Sequence, residues 1–222
     1  MPLGAFLPFW DQLSEDQREL LRKNAVERSV LKGTVIHNGS EDCVGLLVVQ
    51  SGQLRASILS EEGREITLYR LFERDICLFS ASCMLRSIQF DITVEAAQNS
   101  RFWLIPTPVY QRLMQQSAAV ANYTNELMAS RFSDVMWLMD QVLYKRLDSR
   151  LAAFLLEEGE IADTNQLRIT HEMAARHLGS AREVVTRMLK YFQSEGIVAL
   201  SRGTVTIVSP DKLRQLAADS LR

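Results

Sequence analysis

The chain has 222 residues, of which 47% are apolar and 23% charged, and its formal net charge is -2 at pH 7. This length accommodates one large or two ordinary domains, and the composition is that of a soluble globular protein. No apolar run approaches the roughly 20 residues of a membrane span. The start, MPLGAFLPFWDQLSEDQ, is too acidic and too short in apolar residues for a signal peptide. The sequence therefore predicts a cytoplasmic protein without a membrane partner.

The N-terminal residues, up to about Arg28, have the pattern of an amphipathic helix with Ser14 as its cap. From Ser29 to Pro106 the chain consists of short β-rich segments separated by glycine turns such as Asn38-Gly39 and Ser51-Gly52. Several short strands at this spacing predict a β-sandwich or β-barrel.

A long helix is predicted next, because residues 118–143 contain neither glycine nor proline. Met128, Val135 and Val142 recur every seven residues with Leu138 between them, which favours a helix that packs against a copy of itself. The alternative is a helix packed only on its own barrel. The helical region covers about 109–145, and Asp148 resembles the cap of a further helix. We therefore expect domains at 1–146 and 147–222.

The segment LRITHEMAARHLGSAREVVTRML, residues 167–189, has the pattern of a DNA-binding helix-turn-helix. Thr170 can cap a first short helix, Gly179 supplies the break, and Ser180 can cap a second helix. Leu178, Val184, Val185, Met188 and Leu189 would face inward, and Arg182, Glu183, Thr186, Arg187 and Lys190 would face outward. Arginine can donate two hydrogen bonds to guanine and glutamate can accept one from cytosine, so this face suits a major groove. The alternative is a solvated surface helix.

Two apolar segments, Val198 to Leu200 and Val205 to Val208, flank Ser201-Arg202-Gly203 and predict a short hairpin or wing. The segment from Arg176 to Arg202 contains five cationic side chains and two carboxylates. The sequence therefore predicts a local positive patch, although the net charge of the chain is negative. The residues that we predict to contact DNA are Thr170, His171, Ser180, Arg182, Glu183, Thr186, Arg187, Lys190 and Arg202.

The sequence SAREVVTRMLKYFQSEGIV, followed by ALSRGTVTIV, resembles the Crp/Fnr superfamily of transcription factors. The resemblance spans nearly the whole chain but is specific only in this C-terminal part. It implies an α+β fold, in which a jelly-roll barrel like that of cyclic-nucleotide-binding domains is followed by a long dimerisation helix and a winged helix-turn-helix. It also implies that Arg182, Glu183 and Arg187 contact bases, and that the partners are double-stranded DNA, a second copy of the chain and RNA polymerase.

Members of this superfamily that bind cyclic nucleotides share a Gly-Glu pair for the ribose and an Arg-Ser pair for the phosphate. In this sequence Leu78 and Phe79 align with Gly-Glu, and Phe90 lies near the arginine position. A buried cyclic phosphate needs a cationic partner, which phenylalanine cannot supply. We therefore predict that cyclic AMP is not the effector and that a pocket near Phe79, Phe90, Cys77 and Cys83 would favour apolar or aromatic ligands. The rings could also simply fill the core.

Cys43, Cys77 and Cys83 form no CxxC pair, and their odd number argues against a disulfide framework. Buried structural cysteines are the commoner case, although a thiol switch at Cys77 and Cys83 is an alternative. A metal-dependent cupin enzyme would need several histidines in the barrel, where only His37 is available. We thus predict a homodimeric DNA-binding regulator, not an enzyme, with no metal or cofactor and with an unidentified effector if it has one.

Overall fold

The computed structural model describes residues 2–39, 44–78, 80 and 91–221. The chain forms two compact units: Met1–Leu59 with Leu68–Val135, and Ser60–Thr67 with Met136–Arg222. The division lies within a long helix, whereas the domain boundary expected from the sequence, near Arg146, lies just after that helix. No helix in the described parts of the chain combines the length and the apolar character needed to cross a membrane.

Unit 1 is built on two four-stranded sheets, with strand orders β1-β8-β3-β6 and β2-β7-β4-β5. Pairing is antiparallel, for example between β3 and β8, where Val48 lies opposite Trp103. This arrangement confirms the predicted β-rich region and the α+β class. The strands are β1 Val26–Val30, β2 Val35–Asn38, β3 Leu46–Ser51, β4 Leu54–Leu59, β5 Glu65–Leu71, β6 Ile76–Cys77, β7 Ile92–Ala96 and β8 Ser100–Ile105.

Both faces of β3 are covered, and successive residues join two different core clusters. Leu46 and Val48 pack with residues of the N-terminal segment and of helix α2 (Thr107–Gln116). Leu47 and Val49 belong to a second cluster that also contains Cys77. A strand buried on both sides has no polar alternation, which explains the continuous apolar sequence of this segment.

The N-terminal helix, α1, spans Glu15–Asn24 and begins at Ser14, whose side chain accepts from the Gln17 amide in a capping box. The predicted cap is confirmed, but the predicted end near Arg28 was too late. Val26 already pairs with Leu104 as the first residue of β1. Long-range strand pairing therefore ends the helix before its local pattern does.

The long helix α3 spans Ala118–Tyr144 and ends close to the predicted limit, but the helical region predicted from about 109 is divided at Ser117, where α2 ends. Met128 packs against the core of unit 1, while Val135 and Leu138 are half-buried and Val142 is 46% exposed. The predicted seam is thus only partly available to a second chain. An exposed apolar stripe runs beside it at spacings of four, three and four residues: Phe132, Met136, Met139 and Leu143.

Unit 2 has the architecture of a winged helix-turn-helix. Its helices enclose one core that includes Leu155, Val185 and Phe192, and its three strands pair in the order β10-β11-β9. The elements are α4 Leu147–Ala162, β9 Gln166–Leu167, α5 His171–Leu178, α6 Arg182–Ser194, β10 Val198–Ser201, β11 Thr204–Ile207 and α7 Pro210–Ala217.

The prediction that Asp148 caps α4 was wrong. The cap position is Arg146, and Asp148 lies inside the first turn. There its carboxylate accepts hydrogen bonds from the Ser149 amide and the Arg146 guanidinium. An acidic residue in the first turn also interacts favourably with the helix dipole, so the sequence signal was shifted by two positions.

Candidate nucleic-acid interface

Helix α5 begins and ends where the sequence predicts. The Thr170 hydroxyl accepts a hydrogen bond from the Met173 amide at 3.1 Å, which satisfies one of the free amides of the first turn. Gly179 has a φ of 66° and closes the helix in the left-handed conformation. The turn between the two helices therefore has a fixed geometry.

The prediction that Ser180 caps the second helix was wrong. Helix α6 starts at Arg182, and its cap position is Ala181, whose side chain makes no capping hydrogen bond. The amide of Ser180 instead donates to the Ala175 carbonyl at 3.0 Å. The Gly179 amide donates to the same carbonyl. Ser180 thus belongs to the closure of α5.

Helix α6 separates its apolar and polar residues as the sequence predicts. Val185, Leu189 and Phe192 are buried, and Val184 and Met188 are half-buried. The opposite side carries side chains that are exposed to solvent, and these are Arg182, Glu183, Arg187 and Lys190.

Thr186 departs from this division, because it is half-buried and bonded within the protein. Its hydroxyl lies 2.9 Å from Nδ1 of His171, the first residue of α5. The pKa of His171 is lowered by burial and by the positive charges of Arg182 and Lys190. His171 and Thr186, which are predicted as separate DNA contacts, are therefore bonded to each other.

A cleft of about 460 Å³ brings together four of the nine predicted DNA-binding residues. It lies where the starts of α5 and α6 meet the wing, whose two-residue turn, Arg202-Gly203, connects β10 and β11. Two guanidinium groups and several hydroxyls line it, together with one carboxylate. The lining residues are Ile169, Thr170, His171, Glu172, Arg182, Ser201, Arg202, Gly203 and Thr204.

Two arginines outside the nine predicted DNA contacts form bonds within unit 2. Arg150 on α4 donates to the Leu178 carbonyl at 2.7 Å. Arg176, which the sequence places in the positive patch, forms an ion pair with Glu65. No local pattern predicts either contact, since the partners are 28 and 111 residues apart in sequence.

The predicted effector region is only partly covered by the described residues. Phe79, Phe90 and Cys83 lie outside them, whereas Cys77 is fully buried in the core of unit 1. Near Cys77, burial raises the pKa of Tyr69 well above its usual value. The guanidinium of Arg131 lies 4.6 Å from the centre of the Tyr69 ring and pairs with Asp134.

Two family models match this chain, one in its N-terminal part and one in its C-terminal part. Residues 27–117 match the family model of the cyclic nucleotide-binding domain, and residues 149–216 match that of the Crp-like helix-turn-helix domain. A crystal structure from Eubacterium rectale, assigned to the Crp/Fnr family of transcriptional regulators, is 58% identical, with a TM-score of 0.94 over 96% of this chain and 99% of that chain.

Curated relatives are similar in sequence to this chain over most of their length. The fumarate and nitrate reduction regulatory protein of Escherichia coli is 26% identical over 224 residues, which cover 95% of this chain and 86% of the relative. The global nitrogen regulator of Synechococcus elongatus is 23% identical over 196 residues, covering 83% and 86%. The chain belongs to the Crp/Fnr family of transcription regulators, with a cyclic-nucleotide-binding-like sensor domain and a helix-turn-helix DNA-binding domain.

Proposed function

We propose that this regulator binds its operator as a homodimer, with α6 in the major groove and Arg182, Glu183 and Arg187 in contact with base edges. The observation that carries this proposal is the exposed polar face of α6, whose opposite face is anchored in the core of unit 2. A recognition helix held in this way presents its side chains at fixed positions. Two arginines and a glutamate at those positions favour G·C pairs.

Four of the other predicted residues are proposed to bind the DNA backbone. Thr170, His171 and Arg202 line the cleft beside the start of α6, and Lys190 is exposed on α6 itself. Phosphate contacts of this kind fix the register of a protein on the duplex without conferring sequence preference. Ser180 and Thr186 contribute indirectly, through the closure of α5 and the bond to His171.

Dimerisation is proposed to use α3. The stripe of Phe132, Met136, Met139 and Leu143 leaves large apolar side chains in water, with exposed fractions between 46% and 68%. The stripe follows the alternating spacing of four and three residues that pairs two helices. A second copy of the chain is therefore the proposed occupant, with Val135, Leu138 and Val142 at its margin. As in the family, RNA polymerase in the cytoplasm is the proposed further partner, and no enzymatic activity is proposed.

The effector is proposed to be a molecule other than cyclic AMP. Support comes from the sequence, which places Phe79 and Phe90 where ribose and phosphate ligands would be needed. A redox response through Cys77 and Cys83 is the alternative.

Selection of binding sites from random duplexes, followed by titration of single-alanine variants, tests the base contacts. Arg182→Ala, Glu183→Ala and Arg187→Ala should each cost roughly 1 to 3 kcal/mol on the selected site and less on random DNA. Arg214→Ala is the matched control, because Arg214 is exposed on α7 and pairs with Asp211. Equal losses on both kinds of DNA would reduce the three residues to phosphate contacts, and failure to select any duplex would contradict DNA binding itself.

A further inference from the structure

We propose that His171 takes up a proton when unit 2 binds DNA, so that operator affinity increases as the pH falls below neutrality. The inference rests on the proposed function, because it concerns the ligand that fills the cleft between α5, α6 and the wing. It assigns to His171 a role in regulating affinity that its position in a helix-turn-helix does not imply.

The geometry places the imidazole between the recognition helix and the cleft. His171 lines the cleft, while its Nδ1 atom lies 2.9 Å from the Thr186 hydroxyl. A hydroxyl can donate to a neutral Nδ1 or accept from a protonated one. The bond to Thr186 can therefore persist in both charge states, and protonation need not disturb α6.

The charges around His171 are mostly positive in the free protein. Burial lowers the pKa of His171, and the positive charges of Arg182 and Lys190 on α6 lower it further. Arg202 on the wing and Glu172 on its own helix line the same cleft. Burial and the positive charges of Arg182 and Lys190 therefore oppose protonation of His171 in the free protein.

A DNA phosphate in this cleft would reverse the balance. The site offers two guanidinium groups and the hydroxyls of Thr170, Ser201 and Thr204, which suit a phosphodiester oxygen. The negative charge would favour protonated imidazole and raise the pKa of His171 above its value in the free protein. A group whose pKa rises on binding takes up a proton, so affinity rises as the pH falls from the bound towards the free pKa, and levels off below the latter.

The full-length protein should be titrated onto its selected operator by fluorescence anisotropy at constant ionic strength. Between pH 8 and pH 6 the wild-type Kd should fall by a factor of about three or more. Uptake of one proton per protomer can change the Kd by at most about tenfold per pH unit for each protomer. The slope of log K against log salt should steepen by about 0.9 per protomer at the lower pH, because one more cation meets a phosphate.

Three variants locate the effect. His171→Gln should bind with a pH-independent Kd, and His171→Arg should bind tightly and independently of pH. His177→Gln, on the same helix but packed against Phe154 at a ring-centre distance of 4.6 Å, should keep the wild-type pH profile. A flat wild-type profile, or a wild-type slope in His171→Gln, would overturn the proposal.

Nuclear magnetic resonance of the wild-type protein tests the proposal without any substitution, so the result does not depend on whether a variant folds. The pKa of the His171 ring, followed with and without operator, should be higher in the complex, and an equal or lower value would also refute proton uptake. The failures are distinguishable. Operator binding without pH dependence removes only this inference, whereas absence of binding to any duplex at every pH removes the proposed function.

Discussion

Arg150 of α4 and Leu178 of α5 are joined by a hydrogen bond of 2.7 Å from the guanidinium Nη2 to the carbonyl oxygen. Leu178 is the last residue of α5, where helical carbonyls have lost their partners within the helix. Burial lowers the pKa of Arg150, although arginine remains charged at any physiological pH. The bond thus supplies a charged donor to the turn that precedes the recognition helix.

Removing this donor should destabilise unit 2. We expect Arg150→Met to lower the free energy of unfolding by about 1 to 2 kcal/mol, since the substitution keeps much of the apolar stem but leaves the Leu178 carbonyl without this charged donor. Urea unfolding followed by circular dichroism measures the change. Arg146→Met is the matched control, because the Arg146 side chain is 85% exposed and its pair with Asp148 is screened by solvent, so its unfolding midpoint should change much less. Equal midpoints for both variants would show that the bond does not contribute.

Gly179 should tolerate alanine less well than Gly203 does, although both have positive φ angles, of 66° and 71°. Alanine in the left-handed region costs roughly 1 to 2 kcal/mol at either position. At Gly179 a Cβ would also lie 3.0 to 3.3 Å from the side chain of Ile66, while at Gly203 it would meet no atom within 4 Å. Thermal unfolding of Gly179→Ala and Gly203→Ala separates strain from crowding. A larger loss at Gly203 would contradict this account.

The sequence predicts several features whose signals are local. Thr170 and Gly179 lie at the two ends of α5, and both act through hydrogen bonds or dihedral angles within a few residues. The two faces of α6 follow from helical periodicity for the same reason. The fold family was recognisable because this one segment combines such signals.

Other features depend on contacts that no local pattern encodes. The end of α1 at Asn24 is imposed by pairing of β1 with β8. The sequence places Arg176 in a positive patch, whereas in the structure it forms an ion pair with Glu65. The position of Thr186 on α6 predicts a DNA-facing side chain, yet its hydroxyl is bonded to His171. Residues that are distant in sequence therefore decide which side chains remain available for DNA.

The dimer should depend on the exposed stripe of α3 more than on Met128. Met128 packs against the core of its own unit, whereas Phe132 is 68% exposed and Met139 47%. Phe132→Asp and Met139→Asp should each give monomers with much weaker operator binding, because two half-sites about 34 Å apart are bound together only when the subunits are joined.

Sedimentation velocity, with circular dichroism as the check on folding, measures this effect. Arg112→Asp, at an exposed position on α2, is the matched control and should remain dimeric. Stable dimers of both stripe variants would exclude this face of α3.

Cys77 should react slowly with thiol reagents in the native protein. Its side chain is fully buried among core residues that include Leu47, Leu54 and Val94, and a reactive cysteine needs solvent access as well as thiolate character. In a Cys43→Ser/Cys83→Ser variant, which leaves Cys77 as the single thiol, labelling by a disulfide reagent should be limited by opening of the core. The denatured protein should label at the rate of a free thiol.

The same variant bears on the redox alternative. Mild oxidation should leave its operator affinity unchanged, because a sulfur that solvent does not reach is protected from oxidation. Native labelling as fast as denatured labelling would contradict the buried placement of Cys77 and favour a thiol switch. A change in wild-type DNA affinity upon oxidation that persists in Cys77→Ser and in Cys83→Ser would exclude both cysteines as its cause. A small ligand of the sensor domain would then be the better explanation of how this regulator is controlled.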